Sequence, residues 1–256
     1  MKIDLSGKIA LVTGAGRGLG EAISIDLSKA GSKIIAISRN SQTLKKLKFK
    51  LKGKDNYFYT CDLQKENSVD KLINFLNKEK LNPDIVINNV GGNLGIIDPL
   101  VSSKKYKEVF HLNLNIAIDI NRYVLKKMIK KKWGRIINVS SISALENQGP
   151  PSYCAAKAAL NAYTRSLGRY VSKHNIIMTS VMPGAILTKG GYWDKKIKTD
   201  KSHVKKYLSD RMAINRFGKA TEISSFVTFL ASDFASFCPG SGFLIDGGQG
   251  RLFQEF

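Results

Sequence analysis

Seven short apolar runs recur along this chain, and helix-length stretches separate them. The runs are residues 8–13 (KIALVT), 33–38 (KIIAIS), 57–61, 84–88 (DIVIN), 134–140 (GRIINVS), 175–182 (NIIMTSVM) and 243–246. They are nearly continuous rather than alternating apolar with polar, the pattern of parallel strands buried on both faces. Between them lie helical stretches such as 104–131 and 152–172. Alternating strand and helix specifies right-handed crossovers and a doubly wound α/β sheet with helices on both faces. No linker, internal repeat or low-complexity tract interrupts the pattern, so residues 1–256 are expected to form a single domain. The least regular segment, 187–210, is polar, lysine-rich and glycine-containing. It follows a late strand, where a substrate loop or lid is expected.

Composition narrows the function classes. At 43% hydrophobic and 24% charged, the chain is neither disordered nor fibrous. The first apolar run, residues 9–12, is too short for a signal-peptide core, and no stretch of 18 apolar residues follows. A soluble, cytoplasmic protein without a membrane partner is expected. Cys61, Cys154 and Cys238 lie far apart with no C-x-x-C, and His111, His174 and His203 lack ligand spacing. Neither a disulfide framework nor a metal site is expected. Forty-one Lys plus Arg against 20 Asp plus Glu leave a net charge of +21. The lysines fall in three separated blocks, 45–54, 126–132 and 195–206, rather than on one element interleaved with base-reading groups. No nucleic-acid partner is expected. A solvated basic surface is the simpler reading, with steering of an anionic substrate or an acidic carrier protein as the alternative.

The turn after the first run reads Thr13, Gly14, Ala15, Gly16, Arg17, Gly18, Leu19, Gly20. Between a strand and a helix, such glycines make a tight turn, let backbone amides approach a pyrophosphate and let the helix pack close to the sheet. A dinucleotide is the expected ligand. The end of the second run discriminates between dinucleotides. An NAD site normally places Asp or Glu there for the ribose 2′-hydroxyl. This chain has Ser38, Arg39 and Asn40 instead. A guanidinium can form a charge-assisted fork with a 2′-phosphate, and Arg17 can approach the same group. NADP(H) is therefore expected in preference to NAD(H).

Chemistry is suggested further along. Tyr153 and Lys157 stand at i and i+4 at the start of an alanine-rich helix, so both project from one face. A free tyrosine has a pKa near 10, and a neighbouring cation favours its phenolate. Alone, the pair would be an ordinary helix-surface pair. Ser140 and Ser141, however, end the fifth run, and Asn88, Asn89, Val90, Gly91 and Gly92 end the fourth, at the sheet edge where such folds bind ligands. Asn113 falls in the helix between them, and Pro183, Gly184 and Thr188 follow the sixth.

Together these pieces resemble the short-chain dehydrogenase/reductase family over residues 5 to about 250, and its 3-oxoacyl-carrier-protein reductase-like members in particular. The matching residues are T-G-A-G-R-G-L-G at 13–20, Asp62 and Leu63, N-N-V-G at 88–91, Asn113, the serine pair, Y-C-A-A-K at 153–157, P-G-A-I-L-T at 183–188 and I-D-G-G at 245–248. The resemblance implies a seven-stranded parallel sheet of Rossmann type and hydride transfer between NADP(H) and a carbonyl or secondary alcohol. It implies that Tyr153 exchanges the proton, Lys157 holds the nicotinamide ribose and lowers the tyrosine pKa, and Ser141 orients the carbonyl. Asn113 would anchor a water, Asp62 and Leu63 flank the adenine, Asn89 and Gly91 contact the cofactor, and Ile186 with Thr188 hold the carboxamide beyond Pro183 and Gly184. It also implies a homodimer or homotetramer. The chain departs from the family pattern at Val90 and Ala144, and its interval from Ser141 to Tyr153 is one residue short, which leaves Ser140 as a second candidate for the carbonyl contact. Cys154 lacks an activating base and reads as a packed thiol. A small-molecule carbonyl or alcohol, free or on an acidic carrier protein, is the expected substrate. A sugar or nucleotide-sugar dehydrogenase is the alternative, which the polar 187–210 segment would suit. A non-catalytic NADP(H)-binding module is a third reading, opposed by the intact Asn–Ser–Tyr–Lys set.

Overall fold

Strand-forming Ile and Val runs account for the sheet. The computed structural model describes residues 2–251. In chain order, β1 (Ile9–Thr13) leads into α1 (Gly18–Lys29), β2 (Lys33–Ser38) into α2 (Ser41–Lys48), and β3 (Tyr57–Thr60) into α3 (Ser68–Lys78). Next come β4 (Ile85–Asn88), α4 (Ser103–Phe110), α5 (Ile116–Lys131), β5 (Gly134–Val139), α6 (Pro151–Val171) and β6 (Ile176–Pro183). The chain then forms β7 (Ile186–Leu187), α7 (Tyr192–Thr199), α8 (Lys201–Arg211), β8 (Gly218–Lys219), α9 (Ala220–Leu230) and β9 (Gly242–Ile245). Seven strands make one sheet in the order β3-β2-β1-β4-β5-β6-β9. Every pairing in it is parallel. The expected doubly wound sheet is present.

Strand residues divide between the two faces with period two. Val12 and Ile87 pack with Ile23 and Leu27 of α1 and Ile223 and Val227 of α9. Leu11, Val86 and Ile136 face the other way, onto Leu72 of α3 and Ile116, Ile120 and Val124 of α5. Burying each such side chain contributes roughly 1.5–3 kcal/mol, which explains why central strands are apolar throughout. Strand order reverses between β1 and β4, and the crevice outside the carboxyl ends of these strands is where such sheets bind ligands. The glycine turn opens into it. Gly14 has φ +65°. A Cβ on Gly20 would lie 2.6 Å from the Asn89 side chain, so only glycine lets α1 come this close to the end of β4. No helix among the described residues is long and apolar enough to cross a membrane.

Two segments differ from the sequence expectation. The 104–131 helix is unbroken but not uniformly α, because a π-helical turn at His111–Asn115 joins α4 to α5 and contains Asn113. Segment 187–210 is largely helical rather than irregular. Asp200 caps α8 by accepting from the His203 N–H at 3.1 Å. Lys196–Asp200, Lys198–Asp194 and Lys206–Asp210 ion pairs then bridge successive turns. Trp193 packs on Tyr207 and Phe217, with ring centroids 4.2 and 4.7 Å away. Around them Ala185, Val204, Met212 and Phe217 form a small apolar cluster that gives the segment a core of its own.

Candidate active site

A cleft of about 520 Å³ opens at the strand-order reversal. Gly14, Gly16, Arg17, Leu19 and Gly20 form one wall, and Ser38 and Arg39 stand at one end. Asp62 and Leu63, from the segment after β3, form the next part, and Asn89 and Gly91 close the floor. Eleven of the residues expected to contact a cofactor are thus brought together. Gly18 is not in this lining but faces Thr188, whose Cβ would lie 3.5 Å from a Cβ on that glycine. Pro183 ends β6, Gly184 follows it, and Ile186 lies in β7. These residues and the Tyr153–Lys157 pair lie outside the lining of the cleft. Thr43 lines the cleft as well, and the sequence reading passed over it. Asn40 accepts from the Thr43 N–H at 3.2 Å and caps α2, a signal visible in the sequence as Asn three residues before Thr.

The fit to a dinucleotide can be judged from space alone. A Cβ on Gly16 would stand 2.6 Å from Ser38 Oγ and would also collide with Thr43. One on Gly91 would stand 2.8 Å from Asn113 Oδ1 and 2.9 Å from Lys157 Nζ. Both glycines keep open a concave cradle that any side chain would fill, as close approach of a ligand backbone requires. Arg17 and Arg39 are both exposed beside it. The residues present fit NADP(H).

Four polar side chains converge at the far end. Lys157 is buried, and its Nζ donates to the Val139 carbonyl at 2.8 Å. Burial without a carboxylate beside it pushes its pKa down to about 7. Asn113 is also buried. Its Nδ2 donates to the carbonyls of Gly92 and Val109, both at 2.8 Å, and its Oδ1 accepts from the Gly92 N–H at 3.0 Å. The π turn aims this side chain back at the loop after β4. Ser141 lies near enough to the Tyr153 phenol to oppose the rise in its pKa, and its hydroxyl bonds Ser143 at 3.1 Å. Ser140 is instead buried with its hydroxyl donating to the Lys157 carbonyl at 3.3 Å. Of the two candidate serines, Ser141 is the one at the tyrosine.

One electrostatic expectation is corrected. Burial pushes the Tyr153 phenol above its ordinary value, opposed by the Ser141 side chain, and a lowering by Lys157 does not set the direction. The ammonium stands 5.7 Å from the ring centroid, turned to the Val139 carbonyl. Cys154 has its thiol pushed up by burial, in keeping with an inert packed group.

Beneath the site runs a buried amide ladder. Asn88 Nδ2 donates to Asn121 Oδ1 at 2.9 Å and to Asn138 Oδ1 at 2.8 Å, and Asn138 Nδ2 donates to Thr164 Oγ1 at 2.8 Å. It ties β4, β5, α5 and α6 together directly under the residues they carry. Its donors are all paired, while the buried Asn88 Oδ1 has no hydrogen-bond partner among the described residues.

Comparison with known proteins agrees with this geometry. The family model for short chain dehydrogenase matches residues 8–196. The 3-oxoacyl-[acyl-carrier-protein] reductase of Pseudomonas aeruginosa is 33% identical over 250 residues, covering 96% of this chain and 99% of that protein. The corresponding reductase of Aquifex aeolicus is 31% identical over 253 residues, covering 97% and 100%. Among solved structures, L-sorbose reductase from Gluconobacter frateurii, complexed with NADPH and L-sorbose, matches with a TM-score of 0.90 at 27% identity. That match covers 99% of this chain and 100% of the other. A 3-oxoacyl (acyl-carrier-protein) reductase from Agrobacterium tumefaciens with NADP bound matches at 0.87 and 25% identity, over 96% of each chain.

Proposed function

The chain belongs to the short chain dehydrogenase family and is an NAD(P)-dependent oxidoreductase, and from that premise we propose that Tyr153, Ser141, Lys157 and Asn113 reduce a substrate carbonyl with NADPH. The observation that carries this reading is the convergence of Asn113 Oδ1 and Lys157 Nζ over Gly91, with the Lys157 ammonium 5.7 Å from the centroid of the Tyr153 ring. When bound, NADPH supplies the hydride. Arg17, Ser38 and Arg39 would hold its 2′-phosphate, Asp62 and Leu63 its adenine, and Ile186 and Thr188 its carboxamide. That assignment favours NADP(H) over NAD(H).

Each side chain then has a task that its surroundings suit. Tyr153, a phenol protonated at neutral pH whose pKa burial raises further, is a proton donor to the carbonyl oxygen. Ser141 offers a second hydrogen bond to the same oxygen. Lys157 keeps one N–H on Val139 and has two more for a ribose. Both amide hydrogens of Asn113 are committed, so it can hold a relay water only through an acceptor. The α7–α8 segment serves as the lid. The substrate class best supported is a 3-oxoacyl thioester on an acidic carrier, since the reductases of that name match end to end. A keto-sugar is the second reading, favoured by the fold match to L-sorbose reductase. A cytoplasmic homodimer or homotetramer completes the proposal.

Oxidation of NADPH by a panel of acyl thioesters and keto-sugars tests the substrate. Tyr153→Phe tests the chemistry. It keeps the ring and removes the hydroxyl, so turnover should fall at least about 100-fold with NADPH affinity nearly unchanged. A variant retaining a tenth of the wild-type rate would overturn the assignment.

A further inference from the structure

Gln249 follows the I-D-G-G run and is 2% exposed, yet its amide is polar and fully used. Its Oε1 accepts from the Ala185 N–H at 2.7 Å. Its Nε2 donates to the Tyr207 hydroxyl at 2.8 Å and to Gln148 Oε1 at 3.4 Å. The three partners come from three separate parts of the site. Ala185 lies between β6 and β7, in the segment assigned to the nicotinamide end. Tyr207 lies on α8 and stacks in the Trp193 cluster that holds α7 and α8 together. Gln148 belongs to the loop before α6, and its carbonyl accepts from the Ser143 hydroxyl at 3.0 Å. Ser143 in turn bonds Ser141, the serine that acts on the Tyr153 phenol. The next residue, Gly149, lies beside the tyrosine: a Cβ added there would lie 3.4 Å from the ring.

Neighbouring contacts hold Gln249 in this place. Asp246 accepts from the N–H groups of Gly248 and Gly250, at 3.0 and 2.6 Å. Ile214 N–H donates to the Gly247 carbonyl at 3.3 Å, and Arg251 reaches both the Glu146 carboxylate and the Asp210 carbonyl. The segment 246–251 therefore runs as a strap between the end of the lid and the loop that carries the serines. Gly184 underneath has no room to spare, since a Cβ there would lie 2.7 Å from Gln249 Oε1.

We propose that Gln249 is a positioning residue, a buried latch that fixes α8 against the Ala185 backbone and the Gln148 loop and so sets the seat of the substrate above Tyr153. This rests on the assignment of Tyr153 as the proton donor. A latch acts on how the carbonyl substrate is held, and it has no contact with the part of the cleft assigned to adenosine. Burial raises the Tyr207 phenol, so its hydroxyl stays a neutral partner for the amide at assay pH.

The test compares Tyr207→Phe, Gln249→Met and the double variant. Each single change should raise KM for the carbonyl substrate about tenfold while KM for NADPH, reached only at the nicotinamide end through Ala185, rises several-fold less. Each should also speed tryptic cleavage within 187–211, mapped by mass spectrometry, about tenfold. The double variant should be no worse than Gln249→Met, because the two side chains act through one bond. Additive losses, an equal rise in KM for NADPH, or unchanged cleavage would overturn the latch. Should Gln249→Met fail to fold, Tyr207→Phe removes a single hydroxyl and decides the matter alone. Cleavage needs no turnover, so a failure of the Tyr153 assignment would leave this result standing on its own.

Discussion

Serine at the end of β2 is where the proposed preference for NADP(H) can be tested, because the 2′-position of the adenosine ribose carries either a hydroxyl or a phosphate of nearly two charges. Ser38 is half-buried, and its hydroxyl faces Thr43 Oγ1 at 3.3 Å. Arg39 and Arg17 are exposed and line the same cleft. A charged hydrogen bond is worth roughly 1.5–3 kcal/mol, or on the order of 10–100-fold in affinity. NADPH should be preferred over NADH by at least about tenfold in kcat/KM. Ser38→Asp should reverse that preference by repelling the phosphate and accepting from the free hydroxyl. Arg39→Ala should weaken NADPH binding and leave NADH almost untouched. Paired steady-state kinetics with both cofactors decide it, and an Arg39→Ala variant that weakened both alike would refute the assignment. These residue types were legible in the sequence because charge and position suffice to argue them. The direction of the Tyr153 shift was not, since it depends on how deeply the phenol is buried, and spacing along a helix does not report burial. Gln249 carried no signal either: a single amide after a glycine pair reads as a loop residue until its partners, up to 101 positions away, are known.

Elements were legible in proportion to their periodicity. Continuous apolar runs placed all seven sheet strands, and the Ala-rich stretch from 152 marked α6 to within a residue or two. The 187–210 segment was misread because lysine dominates its composition and a glycine pair opens it, while its helix signals are pairwise: Asp194 with Lys198, Lys196 with Asp200, Lys206 with Asp210. Such i,i+4 pairs contribute only a few tenths of a kcal/mol each, and the Trp193 cluster that completes the fold is non-local. The π turn at His111–Asn115 left no trace in the sequence, as its cause lies in Asn113 reaching Gly92 of another element. That geometry makes a prediction about α4 and α5. Asn113→Ala would leave the Gly92 N–H and the Gly92 and Val109 carbonyls without this partner. Three lost hydrogen bonds at a buried site should cost about 2–4 kcal/mol in urea unfolding, in addition to any loss of turnover. If Asn113 only anchored a water, activity would fall and the unfolding midpoint would not move.

At the scale of the whole molecule, the distribution of charge says more than its total. With 41 Lys plus Arg and 20 Asp plus Glu, nearly a quarter of all residues are charged. Yet from Pro151 to Thr164 the only charged side chain on α6 is Lys157, which is buried. The outward positions are Ala155, Ala158 and Ala162, all exposed, flanked by half-buried Ala159 and Tyr163. Small uncharged residues along about two turns of a surface helix let another helix backbone approach closely, and a chain this basic would otherwise repel its own copy. The uncharged stripe is where self-association costs least. A two-fold axis beside α6 would set the stripe against itself, since an isologous contact places the same patch on both partners. Light scattering at micromolar concentration should therefore give at least twice the mass of the single chain. Ala158→Glu, which puts like charges together across such an axis, should lower that mass, with the sheet and its thermal unfolding largely preserved. A wild-type monomer, or an Ala158→Glu variant that assembles as before, would show that the stripe faces water.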